Sequence, residues 1–329
     1  MLSRVADSIY WLNRYVERAE NIARFVDVNL NLLLDSPSLV QQWQPIVITT
    51  GDLALFQERY GEVTEANVIK FLTFDQKYHN SILSCLRRAR ENARSIREII
   101  SSEMWEQVNS FYLMVKEVAN CGLNTSQLPE FFEKVKMGGH LFAGIMDATM
   151  SHNEGWHFGR MGRFLERADK TSRILDVKYY ILLPSVKDVG TPLDEVQWMA
   201  LLKSASAYEM YRKRQQHRIT PDGVVEFLIL DREFPRSIQY CLSEAERSLY
   251  QIIRPTQGMR KHPVEKVLGR LRSELDYLTL EEIIQIGLHE FLDNLQNRIN
   301  QTGNTIFETF FDLKSMDEQS LDLLFDRVK

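Results

Sequence analysis

The sequence predicts an all-α protein, a multi-helix bundle of about twelve helices built from two tandem copies of a six-helix unit. Three observations predict it. Apolar residues recur at helical spacing along most of the chain, no alternating apolar run is punctuated by hairpin turns, and two stretches of the first half return in the second. A chain of 329 residues is also long for one core, which favours two units.

The first helix is predicted to end at "DSPS", because Pro37 cannot continue a helix. Its apolar residues fall alternately three and four positions apart, which places them on one stripe of the helix. These residues are Val5, Ile9, Leu12, Val16, Ala19, Ala23, Val26, Leu30 and Leu33. A second helix has the same spacing at Ile82, Leu86, Ala89, Ala93, Ile96 and Ile100.

Ten further segments have a helical pattern of apolar residues. They cover 38–60, 64–76, 102–120, 126–150, 152–183, 192–217, 220–230, 234–254, 262–277 and 279–301. The β-branched cluster "IVITT" at 46–50 is short and has helical sequence on both sides, so it does not alter the all-α prediction.

Two stretches of the chain are repeated. "RYVERAEN" at 14–21 returns as "RFLERADK" at 163–170, within a longer alignment of 14–34 with 163–183. Residues 71–89 likewise match 227–245, where about one or two coincidences are expected by chance. The repeats predict one unit at 1–150 and a second at 151–329, packed about a pseudo-twofold axis as one integrated body. Cys85 and Cys241 align and are predicted to be small buried residues.

Composition argues against several classes of partner and cofactor. The net charge of −5 and the absence of a basic stripe with interleaved aromatics argue against nucleic acid. No apolar run reaches the ~18 residues of a membrane span, and three cysteines form no disulfide framework, so a soluble cytoplasmic protein is expected. No phosphate-binding loop is present, and no cofactor is predicted. In "HNEGWH" the two histidines are five apart rather than four, so no metal site is predicted.

The repeated string places charged residues opposite the apolar stripe of its helix. They are Arg14, Glu17, Arg18 and Arg24 in the first copy, and Arg163, Glu166, Arg167 and Arg173 in the second. Such a face is often solvated, with pairs of about 0.2–0.5 kcal/mol each. Because Trp11, Tyr15 and Phe25 flank it and the second copy keeps the same charged residues, we rank a buried structural network first. A ligand-binding charged cleft ranks second, ahead of a solvated face.

Three arginines of "RRARENARSIREII" group along one border of an apolar stripe. Arg90, Arg94 and Arg97 lie close enough on the helical wheel to hold an anionic group. The alternative is a solvated basic face interleaved with Glu91 and Glu98, and we favour it.

Three strings in this order resemble the motifs of the bacterial alpha-E family. They are "MLSRVADSIYWLNRYVERAENIARFVD", "CLRRARENARSIREIISSEMWEQVN" and "FGRMGRFLERADKTSRILDVKYY". The resemblance covers essentially the whole chain and implies an all-helical fold with Glu-Arg signatures at Glu17-Arg18 and Glu166-Arg167. Members of that family are typically encoded beside circularly permuted ATP-grasp ligases and transglutaminase-like peptidases. The resemblance therefore implies a role in an amide-bond-forming or peptide-modifying system.

Two functions are compatible with these observations. The first is a non-catalytic helical partner that binds a peptide or anionic ligand, or holds the ATP-grasp ligase. The alternative is an enzyme of the same system, with Glu17 or Glu166 as general base and Arg18, Arg94 or Arg167 as the anion clamp. A carboxylate enclosed by arginines has a lowered pKa and is a poor base at neutral pH, which argues against the enzyme.

Overall fold

The computed structural model describes residues 1–35, 43–122, 124–180, 192–214, 219–253 and 262–312. Over these residues the chain forms fifteen α-helices and no β-strand, which confirms the all-α prediction. The "IVITT" cluster lies within a helix. Residues 36–42, which include the predicted stop at Pro37, and residues 181–191 lie outside the described ranges.

The helices follow one another with short connections. Those before residue 150 are α1 (Ser3–Asp35), α2 (Trp43–Thr50), α3 (Leu53–Tyr60), α4 (Glu65–Thr73), α5 (Ile82–Ser95), α6 (Ser102–Cys121) and α7 (Leu128–Thr149). Those after it are α8 (Glu154–Tyr180), α9 (Pro192–Ser204), α10 (Tyr208–Arg214), α11 (Pro221–Leu230), α12 (Ile238–Ile253), α13 (Pro263–Tyr277), α14 (Leu280–Ile286) and α15 (Leu288–Ile306). A five-residue π-helical turn, Phe307–Phe311, follows α15.

Three of the predicted helices are each divided in two. This is why the structure has fifteen described helices where the sequence predicts about twelve. The breaks lie at Gly51, Ser206 and Gly287, whose φ angles are 81°, 49° and 97°. A positive φ interrupts a right-handed helix, and only glycine adopts it without steric penalty. The break at Ser206 has no glycine, so the sequence pattern gave no signal for it.

Helices α1 and α8 form the centre of the bundle and pack against each other. Helices α5 and α7 pack on α1, while α12 and α15 pack on α8. The buried apolar residues of both halves form one continuous core. This arrangement is compatible with the proposed duplication; the duplication itself and the division at residue 150 stay predictions.

Helix α1 is buried on two opposite faces. Every stripe residue whose side chain is described, from Val5 to Leu30, lies in the core, and so does the predicted set from Ile82 to Ile100. On the opposite face of α1, Glu17, Asn21 and Arg24 are also buried. The charged face of α1 is therefore covered by other parts of the protein, chiefly by α8.

Glycines let α8 approach α1 closely. A Cβ added at Gly162 would lie 2.5 Å from the backbone carbonyl oxygen of Tyr10, and one at Gly159 would lie 2.5 Å from Asn13 Nδ2. These distances are well inside van der Waals contact, and the Tyr10 carbonyl belongs to the backbone of α1. The spacing of the two central helices therefore depends on Gly162.

We expect Gly162→Ala to lower the free energy of unfolding by about 1–3 kcal/mol, because the added methyl group must push two packed helices apart. The control is Gly144→Ala on α7, where a Cβ meets nothing within 4 Å. Since alanine restricts the unfolded chain, the control should be neutral or stabilising by up to about 1 kcal/mol. Urea unfolding of both variants checks this, and equal effects would contradict the close approach.

Cys85 and Cys241 are fully buried on α5 and α12, as predicted, whereas Cys121 is exposed. Burial raises the pKa of Cys85 to about 11 and that of Cys241 to about 12. Because the thiolate is the reactive form, we expect iodoacetamide at about pH 8 to alkylate Cys121 alone in the native protein. Mass spectrometry of native and denatured samples tests this; native alkylation of Cys85 or Cys241 as fast as that of Cys121 would disprove it.

Candidate functional site

The charged faces of α1 and α8 meet through two crossed ion pairs. Glu17 of α1 accepts hydrogen bonds from Arg167 of α8, with Nε–Oε1 and Nη2–Oε2 distances of 2.8 Å each. Glu166 of α8 accepts from Arg18 of α1, with Nε–Oε1 and Nη2–Oε2 distances of 2.6 and 2.9 Å. Each glutamate is thus held bidentately by the arginine that follows the other glutamate in sequence.

Further donors fill the remaining positions around the two glutamates, and they differ between the halves. Glu17 also accepts from Asn21 Nδ2 at 2.8 Å and from Arg236 Nη1 at 3.3 Å. Glu166 instead accepts from Arg14 Nε at 2.8 Å, and the Nζ of Lys170 lies 3.5 Å from it. Both carboxylates are therefore surrounded by cationic or amide donors.

A second acidic residue lies one turn along each helix and pairs within its own helix. Glu20 binds Arg24 Nη2 at 2.8 Å and also accepts from Arg236. Asp169 binds Arg173 Nε at 3.0 Å and Lys170 Nζ at 2.7 Å.

We use "central cluster" for these twelve side chains: Glu17, Glu20, Glu166 and Asp169 with Arg14, Arg18, Arg24, Arg163, Arg167, Lys170, Arg173 and Arg236. Eight of the twelve are cationic.

The two signature glutamates remain ionised although they are enclosed, with 2% of Glu17 and none of Glu166 exposed. Burial alone would raise a carboxyl pKa. The charges of Arg167 and Arg236 outweigh burial and hold the pKa of Glu17 well below its usual range. Arg18, Lys170 and Arg14 do the same for the pKa of Glu166. At neutral pH both side chains are acceptors with no tendency to take up a proton.

All eight residues predicted for the charged cleft, four from α1 and four from α8, lie in the central cluster. Their burial excludes the solvated-face alternative. Arg163 differs from its counterpart Arg14, because its Nε is buried with no acceptor among the described residues. Burial lowers the pKa of Arg163 accordingly.

Four members of the central cluster were not predicted from the sequence: Glu20, Asp169, Lys170 and Arg236. A signal existed for the first two, because both copies of the repeated string carry an acid four residues before an arginine. No such sequence signal existed for Arg236. It is aligned with Asn80 of the first half, and a position at which the two copies differ was not considered as a site residue.

The three arginines predicted as an anion site lie elsewhere, at the end of α5. Arg90 donates to Asn109 Oδ1 at 2.7 Å, and Arg94, which is 66% exposed, binds Glu91 at 2.8 Å. The guanidinium groups of Arg90 and Arg97 both lie over the ring of Trp105. These contacts occupy the arginines within the outer face of the bundle, and an anion site there stays a prediction.

Within the described ranges, no three His, Cys, Asp or Glu side chains gather as a metal site. His152 of the "HNEGWH" string stacks on the ring of Trp156. None of the helices that could be searched has the length and apolarity needed to cross a bilayer.

Comparison with known proteins gives relatives of low identity. Uncharacterized proteins of Mycobacterium bovis and of Mycobacterium tuberculosis strain CDC 1551 are each 21% identical over 312 residues, and one of strain H37Rv is 20% identical. The match covers 89% of this chain but 34% of each relative, so the chain spans about a third of their length. No solved structure matches significantly.

The sequence model of the Alpha-E family, a predicted alpha-helical domain with a conserved ER motif, matches residues 1–311. The chain carries two Glu-Arg pairs, 17–18 and 166–167, and the crossed ion pairs are built from them. The chain therefore belongs to the Alpha-E family.

Proposed function

We propose that this chain is a non-catalytic helical component of an ATP-grasp-associated, amide-bond-forming system, in which it binds and positions a peptide or its ligase. The observation that carries the proposal is the state of the two signature glutamates. Both are enclosed, ionised and fully bonded to donors from two helices. Such a network stabilises a bundle and leaves no carboxylate to accept a proton from a substrate.

General base catalysis needs a group whose pKa lies near the working pH and whose lone pairs can reach the substrate. Glu17 meets neither condition, since Arg167, Arg236 and Asn21 occupy its oxygens and its pKa is lowered. The surplus of cations over carboxylates in the central cluster instead favours binding of an anionic group.

The length of the relatives also supports a role beside another unit. In the mycobacterial proteins the matching region makes up 34% of a longer polypeptide. In those proteins the matching region is covalently linked to the rest of the polypeptide, and the two parts therefore lie close to each other. For this chain, the ATP-grasp ligase and the transglutaminase-like peptidase are the proposed partners, on the strength of the alpha-E resemblance.

Co-expression with an ATP-grasp ligase of the kind that the alpha-E resemblance implies tests the proposal. We expect the two proteins to co-elute in size-exclusion chromatography and the ligase to turn over faster in the complex. The matched control is the ligase alone at the same concentration. Separate elution together with unchanged turnover would overturn the proposed function.

The alternative is an enzyme of the same system that uses the Glu-Arg side chains on an amide or peptide substrate. One observation favours it: a cleft reaches Arg18, whose guanidinium binds Glu166. Arg94 was also considered as the residue that holds the anionic group. It is exposed on α5 and paired with Glu91. If the enzyme is correct, Glu17→Gln abolishes turnover in a protein that stays folded; loss of the fold would favour the structural network.

A further inference from the structure

A cleft lies beside the central cluster, between α1, α8, the end of α2 and the segment that precedes α5. Its volume is about 50 Å³, several times the ~10–15 Å³ that one water needs by the same measure. Arg18, Lys170 and Arg173 line one side of it. Their side chains are between 14% and 23% exposed, so the cationic wall of the cleft can be reached from solvent.

The corresponding position in the other half is filled. In the alignment of 71–89 with 227–245, Arg236 takes the place of Asn80. Arg236 is buried and donates to Asn21 Oδ1 at 3.0 Å as well as to Glu17 and Glu20. Asn80 is shorter; it accepts from Arg18 Nη1 at 2.6 Å and also shares a side-chain hydrogen bond with Tyr78. The same fold position therefore holds an arginine in one half and borders the cleft in the other.

The cations around the cleft outnumber the carboxylates. Three cations, Arg18, Lys170 and Arg173, line the cleft, and the carboxylates that they bind are two, Glu166 and Asp169. Arg173 uses Nε for Asp169 and Nη1 for the Thr49 carbonyl, and its Nη2 has no acceptor among the described residues. A group with two negatively charged oxygens would supply the missing acceptors.

A second cavity adjoins the cleft along the α1–α8 seam. The two share Phe25 and Ile174 as lining residues, and the second has a volume of about 30 Å³. Its lining includes the buried side chains of Asn29 and Gln197. Asn29 Nδ2 and Gln197 Nε2 are buried without an acceptor in the described part of the chain. Unpaired buried donors of this kind are uncommon and call for an acceptor.

We propose that the cleft and the adjoining cavity together bind the carboxylate end of an apolar chain. The carboxylate lies against Arg18, Lys170 and Arg173, the apolar body contacts Phe25 and Ile174, and carbonyl oxygens further along accept from Asn29 and Gln197. The inference rests on the proposed function, because it assumes that the charged residues bind a ligand. It adds the chemistry of the ligand and the side of the central cluster on which the ligand binds.

Calorimetric titration of the whole chain with N-acetyl-leucyl-leucine tests the site, because this probe has a carboxylate, apolar side chains and carbonyl acceptors. Binding of one equivalent is expected. The C-terminal amide of the same probe should bind about tenfold more weakly or worse, since it lacks the charge. Inorganic phosphate should also bind more weakly, since it lacks the apolar body. Equal affinity for acid and amide, or for dipeptide and phosphate, would overturn the proposal.

The double variant Asn80→Arg/Lys170→Asn locates the site. It places an arginine at 80 and an asparagine at 170, the positions aligned with Arg236 and Asn21, and it leaves the net charge unchanged. The arginine should fill the cleft and weaken dipeptide binding about tenfold or more, with thermal unfolding no earlier than in the wild type. Undiminished binding by the folded variant would place the ligand elsewhere. If the double variant does not fold, dipeptide binding is measured on the single variant Asn80→Arg instead, and undiminished binding again places the ligand elsewhere. The acid–amide comparison on the wild type tests the proposal in either case.

The two proposals fail separately. A chain that co-elutes with the ligase and stimulates it but does not bind the dipeptide retains the proposed function and loses this inference. A chain that binds the dipeptide in the expected order but neither associates with the ligase nor alters its turnover retains the inference alone.

Discussion

Glu166→Gln is expected to lower the free energy of unfolding by about 3–5 kcal/mol, the largest single-residue effect we predict. Glu166 has no exposed surface and accepts hydrogen bonds from Arg18 and Arg14. Glutamine keeps the shape of the side chain but removes its charge, so both guanidinium groups are left enclosed without a counter-ion. Urea unfolding followed by circular dichroism measures the change.

The same substitution at an exposed position is the control. Glu91 on α5 pairs with Arg94, and its side chain is 45% exposed. Because water and salt screen such a pair, Glu91→Gln should change stability by less than about 1 kcal/mol. Similar losses in the two variants would mean that the central cluster does not behave as a buried network.

A double-mutant cycle tests the crossed arrangement itself. Glu166→Gln combined with Arg18→Met should show a coupling energy within the ~0.5–3 kcal/mol seen for contacting residues. Glu166→Gln combined with Arg163→Met should be close to additive, because Arg163 lies one turn away on the same helix and does not bind Glu166. Coupling to Arg163 in place of Arg18 would favour pairing within the helix and contradict the structure.

Stability should fall steeply in acid, and this is the second large effect. The pKa values of Glu17, Glu166 and Asp169 all lie below their ordinary values, because the surrounding cations outweigh the effect of burial. A lowered native pKa adds stability that is fully present above the unfolded value of about 4 and is lost as pH falls toward the native value. Each such carboxylate contributes up to about 1.4 kcal/mol per pH unit in that window, so the three together contribute up to about 4.

Urea unfolding at intervals between about pH 7 and pH 2.5 measures this dependence. Burial raises the pKa of Asp7 and of Asp176, and these two groups oppose the trend. In Glu166→Gln one of these carboxylates is missing, so the slope below about pH 4 should be smaller by up to about 1.4 kcal/mol per pH unit. An identical slope in the variant would show that Glu166 does not titrate as described.

Much of the fold could be predicted because helical periodicity is a local property of the sequence. Apolar residues three and four apart fix which face of α1 is buried, and each stripe residue up to Leu30 is in the core. The break at Ser206 could not be predicted, since its positive φ occurs at a residue other than glycine.

The partners of the charged residues could be predicted only in part. Spacing along one helix allows Glu17 to meet Arg14 or Asn21, and Asn21 does bind it. Its bidentate partner, Arg167, is 150 positions away and becomes a neighbour only when α1 and α8 pack. The repeated string showed that these residues matter as a set, but the identity of each pair depends on how the two helices pack.

The crossed pairs have the form of an isologous interface, in which two copies of one surface contact each other. A homodimer of the first half would present Glu17 of each subunit to Arg18 of the other. In a homodimer every substitution appears twice. The cleft must therefore be open on both sides of the axis or filled on both sides. A chain that carries both copies, as the repeats predict, is free of that restriction. One chain can place Arg236 on one side and keep Asn80 on the other. A single asymmetric site such as the proposed one is thus available to a chain with two unequal copies and denied to a symmetric homodimer.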